Sequence, residues 1–315
     1  MHSSPTTFTG RDLAAALCVV VIWGLNFVAM KLALRDFTPF QLGGVRYIFA
    51  ALPLVFLVRF PKNGAKWLIA YGLCQGVGQF GLLFVALQVG MTAALASVLM
   101  QTQVFFTALF GYFVLRETLT PPLRMGLVCA AVGLACFAMN YAGGGEAGLM
   151  VAGTTLLGFL LNVASAAMWA TSNIVARRAH QRMEKFDALS FVVWSSLVPI
   201  IPFFIASFLF DAPELHWQWF GASWSSWLSV AYLGWFATIL AYALWTWLLR
   251  RHPANRVAPF SLGVPLIGLT AGVLALGETI SPWQWGGISF IVLALGIVLL
   301  WPLMAARKTT LAGAK

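Results

Sequence analysis

Apolar and polar positions along this chain fall into long blocks, not into the short periods of a soluble helix or strand. Ten apolar runs can be read, at about residues 13–34, 41–58, 67–87, 92–115, 122–141, 150–176, 188–210, 226–249, 256–277 and 283–304. Each is close to the roughly 20 residues that cross the hydrocarbon core of a bilayer as a helix. The first run follows Arg11. It is too long for the h-region of a signal peptide and lacks a cleavage site of small residues. The pattern predicts an all-α polytopic membrane protein with ten transmembrane helices.

Composition agrees and adds an orientation. Of 315 residues, 61% are hydrophobic and 9% charged, against about 25% charged in soluble domains. So little charge excludes a cytosolic enzyme and a disordered tail protein. The net charge is +10. In a soluble chain that would raise nucleic acid as a partner; here it points to loop asymmetry and to the lipid bilayer. With the N-terminus inside, the inner segments hold Arg11, Arg59, Lys62, Lys66, Arg116, Arg124, Arg177, Arg178, Arg182, Lys185, Arg250, Arg251, Arg256, Arg307, Lys308 and Lys315. The outer side holds Lys31 and Arg35, and Arg46 lies inside the second run. Positive charge stays cytoplasmic, so both termini are expected there, with 306–315 as a cytoplasmic tail. Cys18, Cys74, Cys129 and Cys136 all sit in apolar runs and read as small buried hydrophobes.

The chain repeats itself. Glu117-Thr118-Leu119-Thr120-Pro121 returns as Glu278-Thr279-Ile280-Ser281-Pro282, and the same offset aligns Ala70-Tyr71 with Ala231-Tyr232, Ala93 with Ala254, Gly111 with Gly272 and Gly126 with Gly287. Nearer the start of each half, Trp23 and Lys31 align with Trp169 and Arg177. The copies are read as 12–141 and 150–305. Five spans per copy is an odd number, so the second copy enters the membrane from the opposite side. Inverted repeats are a common transporter plan, with the binding site between the halves. Thr120 and Ser281 are expected as N-caps, with Pro121 and Pro282 at the first helical position. Glu117 and Glu278 read either as polar turn residues or as gate charges.

Polar residues inside the spans are expected to face the interior. They are Trp23 and Asn26 in the first, Gln75 and Gln79 in the third, and Gln101, Thr102 and Gln103 in the fourth. The sixth carries Asn162, Ser165, Trp169, Ser172 and Asn173; the eighth carries Thr238, Tyr242 and Trp245. The ninth carries Pro259, Ser261, Gly263 and Pro265, and its prolines free backbone carbonyls. Any one of these can be an interhelical hydrogen bond. As a set they suit a small polar, zwitterionic or neutral solute held between aromatic walls. Lys31 and Arg46 are placed toward the outer face. They are read either as snorkelling charges, one pairing with Asp36, or as a carboxylate-binding charge near an outer gate.

Trp217, Trp219, Trp224, Trp227, Trp283 and Trp285 on one side, with Trp67 and Trp301 on the other, make an aromatic belt. No P-loop, GxGxxG or HExxH is present, and His2, His180, His216 and His252 lie in loops or tails. No metal site, cofactor or catalytic residue is expected.

The motifs carry a resemblance. VVIWGLNFVAMK at 20–31, YGLCQGVGQFGLLF at 71–84, QTQVFFTALFGYF at 101–113, RET at 116–118, VVWSSLVPIIPFFIASFLFD at 192–211, FATILAY at 236–242 and RVAPFSLGVPLIGL at 256–269 resemble the EamA-type exporters of the drug/metabolite transporter superfamily. The resemblance implies a bacterial-type inner-membrane exporter working by alternating access through a central cavity. Mapped here, that cavity lies among helices one, three, four, six, eight and nine. The members most alike export O-acetylserine and cysteine, which implies small amino-acid metabolites as substrate. A multidrug or aromatic-compound exporter of the same fold, motivated by Trp23, Trp169, Tyr242 and Trp245, is the alternative; a membrane-embedded enzyme is a third reading. Monomer and homodimer both remain open.

Overall fold

The computed structural model describes residues 9–52, 54–61, 64–141, 150–151, 154–183, 187–252 and 254–312. Lys62, Lys185, Lys315 and His2, which entered the reading above, lie outside them. Ten helices are long and apolar enough to cross a membrane. They are α1 Gly10–Ala33, α2 Pro39–Ala51, α3 Ala65–Gln88, α4 Ala93–Leu115 and α5 Pro121–Met139. The second five are α6 Leu156–Arg182, α7 Ala188–Phe210, α8 Trp224–Arg251, α9 Ala258–Leu276 and α10 Pro282–Ala312. The even number of spans puts the first and last described residues on one face, called the terminal face below. The other is the distal face.

Helix starts follow from local chemistry. Capping boxes, in which side chain and backbone bond reciprocally, join Thr9 to Asp12 and Thr38 to Gln41. Ser281 and Gln284 do the same at the start of α10, with N···O distances of 2.9 and 3.2 Å. Each satisfies amides that a helix start leaves orphaned. Thr120 precedes Pro121 as expected, but its side chain makes no capping bond; the preset φ of proline suffices there. Two expected ends shift. α6 begins at Leu156, after a two-residue antiparallel pairing of Met150–Val151 with Thr154–Thr155. α10 continues through 306–312 instead of ending in a tail at 305.

The repeated RET/GET motif has a structural counterpart. Arg116 (φ 56°) and Gly277 (φ 67°) end α4 and α9 in the left-handed conformation. The next amide turns back to a glycine carbonyl: Glu117 N to Gly111 O at 3.2 Å, Glu278 N to Gly272 O at 3.3 Å. Each glutamate therefore folds over its glycine, where a Cβ would lie 2.8 or 2.5 Å from the carboxylate.

Two helices share an irregularity that the pattern did not predict. Residues Gly72–Phe80 of α3 and Tyr232–Leu240 of α8 are π-helical, nine residues each. Such widened turns cluster at functional sites. Both helices are the third of their copy, so the widening obeys the inverted repeat.

The packing is inside out relative to a soluble protein. Phe113, Phe208, Phe210 and Leu274 are exposed, whereas Gln75, Gln79, Ser165 and Ser172 are buried. Glycines set the closest approaches. A Cβ on Gly24 of α1 would lie 2.5 Å from Ile267, and one on Gly268 of α9 would lie 2.4 Å from the Ser97 side chain of α4. At Gly286 the nearest atom would be 3.8 Å away. Gly268→Val is therefore expected to cost about 1–3 kcal/mol through overpacking and to lower the melting temperature in detergent. Gly286→Ala is expected to leave it unchanged.

Candidate functional site

A narrow cavity, with about 20 Å³ open to a water-sized molecule, lies where the two copies cross. It is lined by Arg46 and Tyr47 of α2, Tyr71, Gln75 and Phe80 of α3, Val192, Ser195 and Ser196 of α7, and Thr238 and Tyr242 of α8. α2 and α3 are the second and third helices of the first copy; α7 and α8 hold the same places in the second. The cavity thus sits on the axis of the inverted repeat. It differs from the expectation that placed it among helices one, three, four, six, eight and nine. α2 and α7 carry few polar residues in their spans, which leaves little signal for them in the sequence.

Arg46 is the main relocation. The apolar run at 41–58 puts it near the outer end of the second span. The Thr38–Gln41 capping box starts α2 at Pro39 and α2 ends at Ala51, so Arg46 sits midway along it. The side chain is 3% exposed. Its guanidinium carbon stacks 3.7 Å from the ring centroid of Phe80. Nη2 donates to Thr238 Oγ1 at 3.2 Å, and that hydroxyl donates in turn to Leu233 O at 2.8 Å, within the π-helical turn. Nε and Nη1 have no hydrogen-bond partner.

Gln75 lines the cavity, and Gln79 bonds to it from outside the lining. Gln75 Nε2 donates to Gln79 Oε1 at 2.7 Å, and the Ser172 hydroxyl of α6 approaches Gln75 Oε1. Ser165 Oγ donates to Gln79 O at 2.7 Å, tying the π-helical turn of α3 to α6. Glycines bring this stretch of α3 close to α7: a Cβ on Gly76 would lie 2.4 Å from Pro199. Trp23 of α1 backs the site. Its ring lies 5.4 Å from both Tyr242 and Trp245, and its Nε1 donates to Ala237 O at 3.0 Å.

The remaining candidates lie off the cavity wall. Gln103 Oε1 accepts from Asn173 Nδ2 at 2.8 Å, in a separate α4–α6 contact that includes Thr107. Gln101 is buried in a 3₁₀ turn, Met100–Thr102, that interrupts α4. Trp169 packs against the main core, and its carbonyl faces Ser172. Asn26 is buried, with Nδ2 4.0 Å from Met30 Sδ. Ser261 Oγ donates to Ala258 O at 2.7 Å within its own turn, and Pro265 O faces Ser97 Oγ at 3.4 Å. The motif-based search missed Tyr47, Tyr71, Phe80, Ser195 and Ser196. Tyr71 had been noted only as a repeat marker; the twin Ser195-Ser196 in an apolar run was the available signal.

A second pocket adjoins the cavity toward the terminal face. This vestibule, of about 190 Å³, shares Val192, Thr238 and Tyr242 with it and runs past Thr246 and Trp247. Asp187 and Arg250 stand at its mouth, 3.5 Å apart and largely exposed.

The distal face is tied shut. Glu278 accepts from the amides of Ala93 and Ala94 at 2.7 and 2.8 Å, at the start of α4. Asp36 does not pair with Lys31. It accepts from Ser223 N at 2.9 Å and Oγ at 2.5 Å, and these bonds hold its carboxyl below the usual range. Thr38 donates to Asp211 at 2.6 Å, and Gln41 to Leu215 O at 2.8 Å. Phe37, Trp219 and Trp227 pack over these ties, while Trp217 and Trp224 are exposed. Lys31 Nζ donates to Leu87 O at 2.6 Å, beside Glu278 in a distal groove. On the terminal face the equivalent glutamate, Glu117, pairs with Arg177 at 2.5 Å, with both side chains about half exposed. Among the described residues, no three His, Cys, Asp or Glu side chains gather as a metal would need.

Ten spans in two opposed copies, with a cavity at their crossing bordered by Arg46, Gln75 and several hydroxyls, define a membrane transporter. The EamA-like transporter family model matches residues 12–139 and 156–300, and the chain belongs to that family. It is 38% identical to a Salmonella typhimurium protein described as a probable amino-acid metabolite efflux pump, covering 91% of this chain and 94% of that one. An Escherichia coli K12 protein of the same description is 37% identical, over the same shares. A solved structure at 19% identity, covering 95% of this chain and 98% of its own, superposes with a TM-score of 0.58 and shares the fold.

The direction of the vestibule is open to test. In a cysteine-free background, Thr246→Cys is expected to react with a membrane-impermeant maleimide from the terminal face and to stay unlabelled from the distal face. Labelling from the distal face alone contradicts the assignment.

Proposed function

We propose that this protein exports small amino-acid metabolites across a bacterial-type inner membrane by alternating access. The observation that carries the reading is the cavity itself. It is bordered by one guanidinium, one amide and the hydroxyls of two serines, a threonine and three tyrosines, and it is shared between equivalent helices of the two copies, where exchange of the copies' conformations would expose it to either side. The two efflux-pump relatives support the substrate class.

The Lys and Arg distribution supports cytoplasmic termini. With that orientation the vestibule faces the cytoplasm, and the structure is the state that loads substrate. The twin glutamates supply a way to alternate. Glu278 holds the distal ends together through two charge-assisted bonds to α4 amides, each worth about 1.5–3 kcal/mol. Glu117 instead holds a half-exposed ion pair with Arg177, of a kind worth about 0–1 kcal/mol. On the terminal face Asp12 of α1 also pairs with Arg251 of α8 at 3.1 Å, so both faces carry ties between the copies. In the opposite state Glu117 takes the helix start at Ala254, the repeat equivalent of Ala93, and Glu278 turns to Lys31, the repeat equivalent of Arg177.

Within this reading Gln75, Thr238 and Tyr242 contact substrate, with Gln79, Trp23 and Trp245 supporting them. Gln101, Gln103, Trp169, Asn173, Asn26, Ser261 and Pro265 hold the helices in register. The test is counterflow in proteoliposomes of the purified chain, with labelled O-acetylserine, cysteine and other small amino acids, with and without a pH gradient. Uptake of at least one, reduced several-fold by Tyr242→Ala with insertion intact, is the expected result. No uptake of any amino-acid metabolite, with transport of dyes instead, would overturn the proposal.

A further inference from the structure

A cation buried among transmembrane helices is costly unless something compensates it. Arg46 is 3% exposed, yet none of the ion pairs among the described residues includes it. No carboxylate lines its cavity. Thr238 satisfies one nitrogen, and Phe80 accepts the guanidinium face. The two edges of the fork, one at Nε and one at Nη1, keep an unpartnered N–H each. An arginine that lines a cavity with donors unspent is a receptor for a planar anion: Thr238 takes one hydrogen of Nη2, the nitrogen both edges share, and the other edge keeps the two N–H groups that match the oxygens of a carboxylate.

We propose that Arg46 is the anchor for the α-carboxylate of the transported solute, and that a free carboxylate is therefore what the site requires. This rests on the amino-acid reading above and narrows it. The substrate supplies the countercharge that the fold omits. The ammonium of a zwitterion finds no acidic partner in the cavity; it meets the amide and hydroxyl oxygens of Gln75, Ser195 and Ser196 and the rings of Tyr71 and Tyr242, which favour a cation through their π faces. A lipophilic cation would meet the guanidinium charge with nothing to offset it, so this chemistry excludes cationic drugs.

The experiment is competition in the same proteoliposomes. L-cysteine, cysteinamide, lactate and ethidium are added against a labelled amino acid that the wild type transports. The wild type is expected to prefer cysteine over its amide by at least about tenfold, as a charge-assisted contact implies, and to ignore ethidium. Arg46→Met is expected to lose that preference along with most uptake, and Arg46→Lys to keep part of it. Equal inhibition by cysteine and cysteinamide in the wild type overturns the anchor whether or not any variant folds. So does an unchanged acid-to-amide ratio in Arg46→Met. If the wild type moves labelled lactate in an Arg46-dependent way but no amino acid, the anchor stands and the amino-acid reading falls.

Discussion

One unpaired charge organises this molecule. Arg46 lies where water is scarce and where an isolated ion is penalised by several kcal/mol. Its surroundings reduce that cost without cancelling it: one hydroxyl, one aromatic face and no carboxylate. A structural arginine would be expected to have a glutamate or a set of carbonyls at its free edges. Leaving them free trades stability for affinity, the usual bargain at a binding site. The partners that do exist depend on irregular backbone. Thr238 reaches Arg46 from a π-helical turn, and Gln75 and Phe80 lie on the matching turn of α3. Straight α-helices would aim these side chains differently.

The inverted repeat turns this local site into a device. Two copies of one five-helix unit cross at α2, α3, α7 and α8, so the cavity has an equivalent route to either face. The copies do not occupy equivalent states. Glu278 clamps the start of α4, whereas Glu117 reaches out to Arg177. The cavity itself is asymmetric: its charge comes from Arg46 of the first copy only. In the second copy Trp194 donates to Val58 O at 3.3 Å near the terminal face and takes no part in the wall.

Much of this was legible beforehand. Ten apolar runs became ten spans, because a bilayer fixes helix length more strictly than a soluble core does. The RET/GET repeat identified opposed copies, and its glutamates do close helix ends. The start of α2 is legible in the Thr38–Gln41 capping box, which begins the helix at Pro39 and puts Arg46 midway along it. The π-helical turns had no signal in the pattern, since widening by one residue leaves an apolar run apolar. α2 and α7 were missed as cavity walls because a census of polar residues favours helices with many of them, whereas one arginine and two serines suffice.

The central claim concerns a contact, so the most direct measurement is a structure of the protein with a transported amino acid bound. The account predicts the carboxylate within hydrogen-bond distance of a free edge of Arg46, with Thr238 retained and the ammonium toward the tyrosines and Gln75. A substrate bound elsewhere, with Arg46 still stacked on Phe80 and touching only Thr238, would contradict it.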